Sequence, residues 1–135
     1  MSQDNVQVVL KALENVVKRD MPALKAYLAA DCVWSSTYPS HLPFSGEAKG
    51  PDAGIALLMR MSEPFEVLGT NVLSIVAQGD SVVLIVEEKL RAKATGKVGD
   101  NKLALVLTVR NGQIASALSL SNTFLVAELL RPDKA

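Results

Sequence analysis

Little in this sequence invites a nucleic acid or a membrane. Positive and negative side chains balance, 14 Lys plus Arg against 14 Asp plus Glu, so the formal net charge is zero. Nucleic-acid grooves and anionic bilayer surfaces select a basic excess, so neither is expected as a partner. Aromatic residues make up 4% of the chain, leaving few rings to stack on bases. No apolar stretch approaches the ~20 residues that a membrane-spanning helix needs. Cys32 is the one cysteine, which excludes a disulfide within the chain, and His41 is the one histidine. With no close-set group of acids beside them, a metal site is not expected. No glycine-rich phosphate loop occurs, and no cofactor is expected. Met1-Ser2-Gln3-Asp4 has no basic flank before an apolar block, so the expectation is a soluble cytoplasmic protein without a secretory signal.

Apolar side chain is plentiful at 49% of residues, enough to fill the core of one domain spanning residues 1–135. The chain is organised around one run, residues 81–121. Within it, 82–91 and 103–110 read as strands, and Asn111-Gly112 is a strong hairpin signal leading into 113–121. Upstream, Val6, Val9, Leu10, Leu13, Val16 and Val17 recur at helical spacing. Asp20 is placed to cap a second helix, with Pro22 in its first turn, Leu24, Tyr27 and Leu28 as its buried side, and an end at Ala30-Asp31. Cys32-Val33-Trp34 reads as a short strand entering a loop, where Pro39, Pro43, Gly46 and Gly50 break regular structure. Pro51 and Asp52 open a third helix that Pro64 shuts off. Residues 65–68 and 72–77 are strands with Gly69 as a kink or bulge, and 95–101 is a loose turn. Asn122-Thr123 caps a closing helix through Leu130.

Helices first and consecutive strands after them make an α+β order. The expected fold packs the helices in a strongly curved antiparallel sheet, a cone-shaped α+β barrel whose interior can hold a ligand.

This order resembles the SnoaL-like and ketosteroid-isomerase-like families of the nuclear-transport-factor-type cone fold. The residues that carry the likeness are Lys18-Arg19-Asp20-Met21-Pro22-Ala23-Leu24, Leu28-Ala29-Ala30-Asp31-Cys32-Val33-Trp34, Phe44-Ser45-Gly46, Lys49-Gly50-Pro51-Asp52-Ala53, Thr95-Gly96-Lys97 and Asn111-Gly112-Gln113-Ile114. The resemblance implies the fold but not a reaction, because this fold hosts isomerases, cyclases, hydrolases and binding modules alike. Ketosteroid isomerases place a Tyr where this chain has Ala12, and an Asp base where it offers Ser35-Ser36. The stretch from Glu88 to Lys97 also resembles limonene epoxide hydrolases. Their inward Arg and Asp fall at Val86 and Glu88, and their second Asp falls near Ser119. SnoaL-type cyclases use a carboxylate on the last strand, and no acid lies between Gln113 and Asn122.

Among candidate site residues, Glu88 comes first. Alternation places it on the face of Leu84, Val86 and Leu90, where desolvation raises a carboxyl's pKa and suits it to acid–base work. The alternative is a strand that frays there, leaving Glu88 in water beside Lys89 or paired with an Arg. Trp34 is either core or cavity lining, and Tyr38 can offer a hydroxyl at the mouth. His41 lies in a Pro-rich loop that can fold over the opening or simply be solvated. Met59 and Met61 read as core or pocket lining, Cys32 as a buried small residue, and Asn122 as either a polar contact or a helix cap.

Val83, Ile85, Leu118 and Leu120 alternate away from the interior, and an uncovered apolar patch there predicts a two-fold homodimer formed sheet to sheet. The leading expectation is a binding protein for a small, mostly apolar molecule. The alternative is an isomerase, cyclase or hydrolase with Glu88 as general acid–base.

Overall fold

The computed structural model describes residues 2–38, 42 and 46–133. Its centre is the hairpin that Asn111-Gly112 announces. Both residues have positive φ, 53° and 74°, the backbone twist of a tight type I′ turn. The turn joins β5 (Val98–Arg110) to β6 (Gln113–Leu120). Before it, β3 (Phe65–Gln78) and β4 (Ser81–Ala92) form a second long hairpin. The pairing of β3 with β4 shifts register between Val67 and Gly69 and again between Val72 and Ser74. The expected kink at Gly69 is thus one of two bulges in a single continuous strand, and bulges bend a sheet.

The remaining strands are β1 (Leu28–Ser36) and β2 (Gly46–Lys49), and the sheet order is β2-β1-β6-β5-β4-β3. Among the described residues the five neighbouring strand pairs comprise four antiparallel pairings and one parallel pairing, β1 with β6. The sheet curves without closing, with β2 and β3 at its edges.

The helices are α1 (Ser2–Val17), α2 (Met21–Lys25), α3 (Pro51–Ser62) and α4 (Thr123–Leu130). The Asp20 side chain accepts from the Ala23 N–H and caps α2, with Pro22 in the first turn. Local boundaries differ from expectation, and β1, expected as a short strand at Cys32-Val33-Trp34, runs from Leu28 to Ser36. α2 ends at Lys25, and Tyr27 and Leu28 leave the helix because the Tyr27 carbonyl accepts from Ile114 N–H as β1 joins β6. The stretch before α3 contains β2, which pairs with β1. β5 begins at Val98 rather than after Asn101, because β4 carries its partner strand past the expected turn.

Alternation along β4 sends Val82, Leu84, Val86, Leu90 and Ala92 inward, all buried. Two apolar clusters result. The first gathers Val9 and Ala12 of α1, Leu24 of α2, and Val82, Leu84 and Val86. The second gathers Leu57 of α3, Phe65, Leu90, Ala92 and, from α4, Val126 and Leu129. Burying a side chain such as Leu57 or Leu84 contributes on the order of 1.5–3 kcal/mol. No helix among the described residues is long and apolar enough to cross a membrane.

Candidate functional site

Between the helices and the inner face of the sheet the cone keeps a cavity of about 740 Å³. That is within the usual range for small-molecule sites, roughly 300–1,000 Å³. Val9 and Leu13 of α1, Leu57 and Leu58 of α3, and Leu84, Val86, Leu103 and Leu105 of the sheet give it a mostly apolar wall.

Glu88 interrupts that wall. On β4 it sits between Val86, which belongs to the first apolar cluster, and Leu90, which belongs to the second. Its cross-strand neighbours are Thr70 on β3 and Asn101 on β5. Burial pushes the carboxyl's pKa up, and a hydrogen bond from Asn101 offsets part of the rise. Asn101 is 0% exposed. Its Oδ1 accepts from the Asn122 backbone N–H at 3.2 Å, which turns its Nδ2 toward Glu88 Oε1 at 3.4 Å. The Asn122 side chain accepts from Leu125 N–H and caps α4, so of its two expected roles capping is the one its side chain fills. Glu87 faces the other way and lies 3.9 Å from Lys102.

The other sequence candidates divide by place. Trp34, Tyr38, Met59, Val86 and Ser119 all line the same cavity as Glu88. Tyr38 donates its hydroxyl to Ser121 Oγ at 2.9 Å, and burial first, then the nearby Glu88 charge, pushes the phenol's pKa up. Trp34 packs against both apolar clusters as well as bordering the cavity, so it is core and lining at once. Among the described residues its indole N–H has no well-formed partner, and it faces the thiol of Cys32, a weak acceptor. Ser119 Oγ is also buried without a partner among the described residues. Met59 is half exposed at the rim. His41 lies outside the described residues.

Sequence reasoning missed Asn101. Continuing the period-two frame of Leu103, Leu105 and Leu107 upstream would have placed it inward. Cys32 is fully buried, and burial pushes its thiol's pKa up, away from nucleophilic use. Among the described residues no group of three or more His, Cys, Asp or Glu side chains could hold a metal. A carboxyl with a raised pKa in an apolar cavity can donate or take a proton, and the cavity can enclose an apolar molecule around it.

Comparison with known proteins adds a family and a set of folds. The profile of the family described as SnoaL-like domain matches residues 9–117. The structure is similar to that of an NTF2-like protein from Burkholderia xenovorans, 26% identical, with 97% of this chain and 98% of that one covered and a TM-score of 0.84. It is similar to a candidate isomerase from Rhodopseudomonas palustris, 20% identical, covering 96% and 97% with a TM-score of 0.80. It is also similar to TerC co-crystallised with polyporic acid, 17% identical, covering 94% and 98% with a TM-score of 0.82. Among curated proteins no match reaches significance.

Proposed function

The chain belongs to the SnoaL-like domain family, and we propose that it binds one small, mostly apolar molecule inside the cone and works as a homodimer. The cavity carries this reading: about 740 Å³ of space walled by aliphatic side chains, with polar groups gathered around Glu88, Asn101, Tyr38 and Ser121. An apolar molecule gains by leaving water for such a wall, and the polar group fixes its orientation.

The outer sheet face supports the dimer. Val76, Val83, Val106 and Leu118 are successive register partners, forming an apolar row across β3, β4, β5 and β6. Ile85 and Leu120 extend it, and Val76 is 62% exposed. Zero net charge removes repulsion between copies. Native mass spectrometry of gently purified protein tests both parts. The expected peak is twice the chain mass plus an adduct of a few hundred daltons that is lost on denaturation. A bare monomer at micromolar concentration contradicts the dimer, and failure of any apolar compound to add mass contradicts the binding.

Glu88 favours a second reading, acid–base catalysis of isomerase, cyclase or hydrolase type, because its carboxyl is both desolvated and braced. Glu88→Gln separates the two: an enzyme loses turnover and keeps binding, whereas a binding protein changes little.

A further inference from the structure

Among the described residues Asn101 is the most deeply buried polar side chain beside the cavity, and both ends of its amide are engaged. An amide's two ends are set by their partners. The Asn122 N–H can only donate, so the Asn101 oxygen must face it, and the Asn101 NH₂ is left for Glu88. That NH₂ can only donate, so Glu88 Oε1 is held as an acceptor in either charge state. The carbonyl oxygen of a protonated carboxyl is its stronger acceptor, so this hydrogen bond favours the proton on Oε2.

Resting on the cavity-binding reading above, we infer that Asn101 is a positioning residue, which ties Glu88 to the start of α4 and leaves Oε2 as the one carboxyl oxygen offered to the ligand. The ligand class that fits is uncharged and mostly apolar, with a hydrogen-bonding oxygen placed at Oε2. Protonated Glu88 donates to a carbonyl there, and ionised Glu88 repels it.

Among the described residues, few other groups bear on this titration. Thr70 faces Glu88 from β3 and does not ionise in water's range. Among the described residues Tyr38 is the titratable group close by, and it stays neutral because its pKa is pushed up. Arg19, Glu66 and Lys93 border the same cavity at exposed positions, where solvent screens them.

Two matched probes test the inference: 9-fluorenone, and fluorene, which lacks the carbonyl. Trp34 is the only tryptophan and lines the cavity, so quenching of its fluorescence reads binding. In the unaltered protein fluorenone should bind roughly 5- to 10-fold more tightly than fluorene at low pH, the worth of about one hydrogen bond. The preference should vanish as pH rises through Glu88's titration. In Asn101→Leu the carboxyl loses the donor that favours its charged form, so the midpoint of the preference should move to higher pH and its size should shrink several-fold. Glu88→Leu should show no carbonyl preference at any pH. Should Asn101→Leu fail to fold, NMR of the unaltered protein replaces it: the Asn101 side-chain NH₂ protons must shift with the same midpoint as the Glu88 carboxyl carbon. An unchanged preference in Asn101→Leu, or NH₂ protons indifferent to Glu88, overturns the role of Asn101. In the unaltered protein at low pH, fluorene binding without carbonyl preference overturns it while leaving the apolar cavity intact, whereas silence from both probes overturns the cavity reading as well.

Discussion

Gly54→Ala puts two opposed effects on one atom. Gly54 lies in α3 against the Trp34 indole, and a Cβ there would meet Cδ1 at 3.0 Å, Nε1 at 3.1 Å and Cγ at 3.2 Å. Replacing Gly by Ala inside a helix gains about 1 kcal/mol in propensity. Overpacking a tight core costs about 1–3 kcal/mol, the upper end applying where nothing can give. Trp34 also borders the cavity, and open space beside the ring lets it retreat by a few tenths of an ångström. The cost then falls at the low end and the net change is about 0–1 kcal/mol. For 135 residues the unfolding entropy makes 1 kcal/mol worth about 3–4 °C. Calorimetry should therefore show Tm lowered by no more than about 4 °C, while Trp34 emission shifts and affinity for an apolar probe falls as the ring takes up cavity space. A Tm loss beyond about 7 °C, or emission and affinity both unmoved, would refute the reasoning, because Trp34 would then be locked in solid core.

Other substitutions test other parts. Glu88→Gln keeps an acceptor for Asn101 but cannot charge. Since the folded carboxyl's pKa is raised, its stabilising protonated state is fully present below the unfolded pKa of about 4.3 and is lost as pH rises through the folded value. The variant should match the parent in acid and exceed it in stability at neutral and alkaline pH by urea titration; a variant less stable at pH 8 contradicts the buried placement. Ser119→Ala removes an unpartnered buried hydroxyl and should leave Tm unchanged or raise it by up to about 4 °C, whereas a loss of several degrees would reveal a hidden bond. Asn122→Ala deletes the cap on α4 and should lower Tm by about 3–4 °C for a cost of about 1 kcal/mol; no change in a thermal melt speaks against the cap. Val106→Glu puts a charge in the outer apolar row, and light scattering should then find a folded monomer, a persistent dimer placing the interface elsewhere.

The parts legible in sequence were those set by local chemistry. Asp20 and Asn122 announced their caps, Asn111-Gly112 its turn, and alternation along 82–91 the inward face of Glu88. The parts missed are those that a distant strand decides. Leu24, Tyr27 and Leu28 fit a helical stripe, yet Tyr27 and Leu28 are drawn out by pairing with Ile114, 86 and more residues away in the chain. β2 is four residues long with Ala48 as its single buried side chain, too short to establish a period. Asn101 follows Gly96, Gly99 and Asp100, a composition that reads as a turn; only its pairing with Glu88 makes it a strand residue and part of the site.

The most direct test of a ligand-binding cone is methyl-labelled NMR of the protein against a library of neutral, mostly apolar fragments. The expected hits perturb the methyls of Leu84, Val86, Leu103 and Leu105 together with the Trp34 indole, all of which line the cavity. Hits confined to the outer row of Val83, Val106 and Leu118, or none at all, would contradict it.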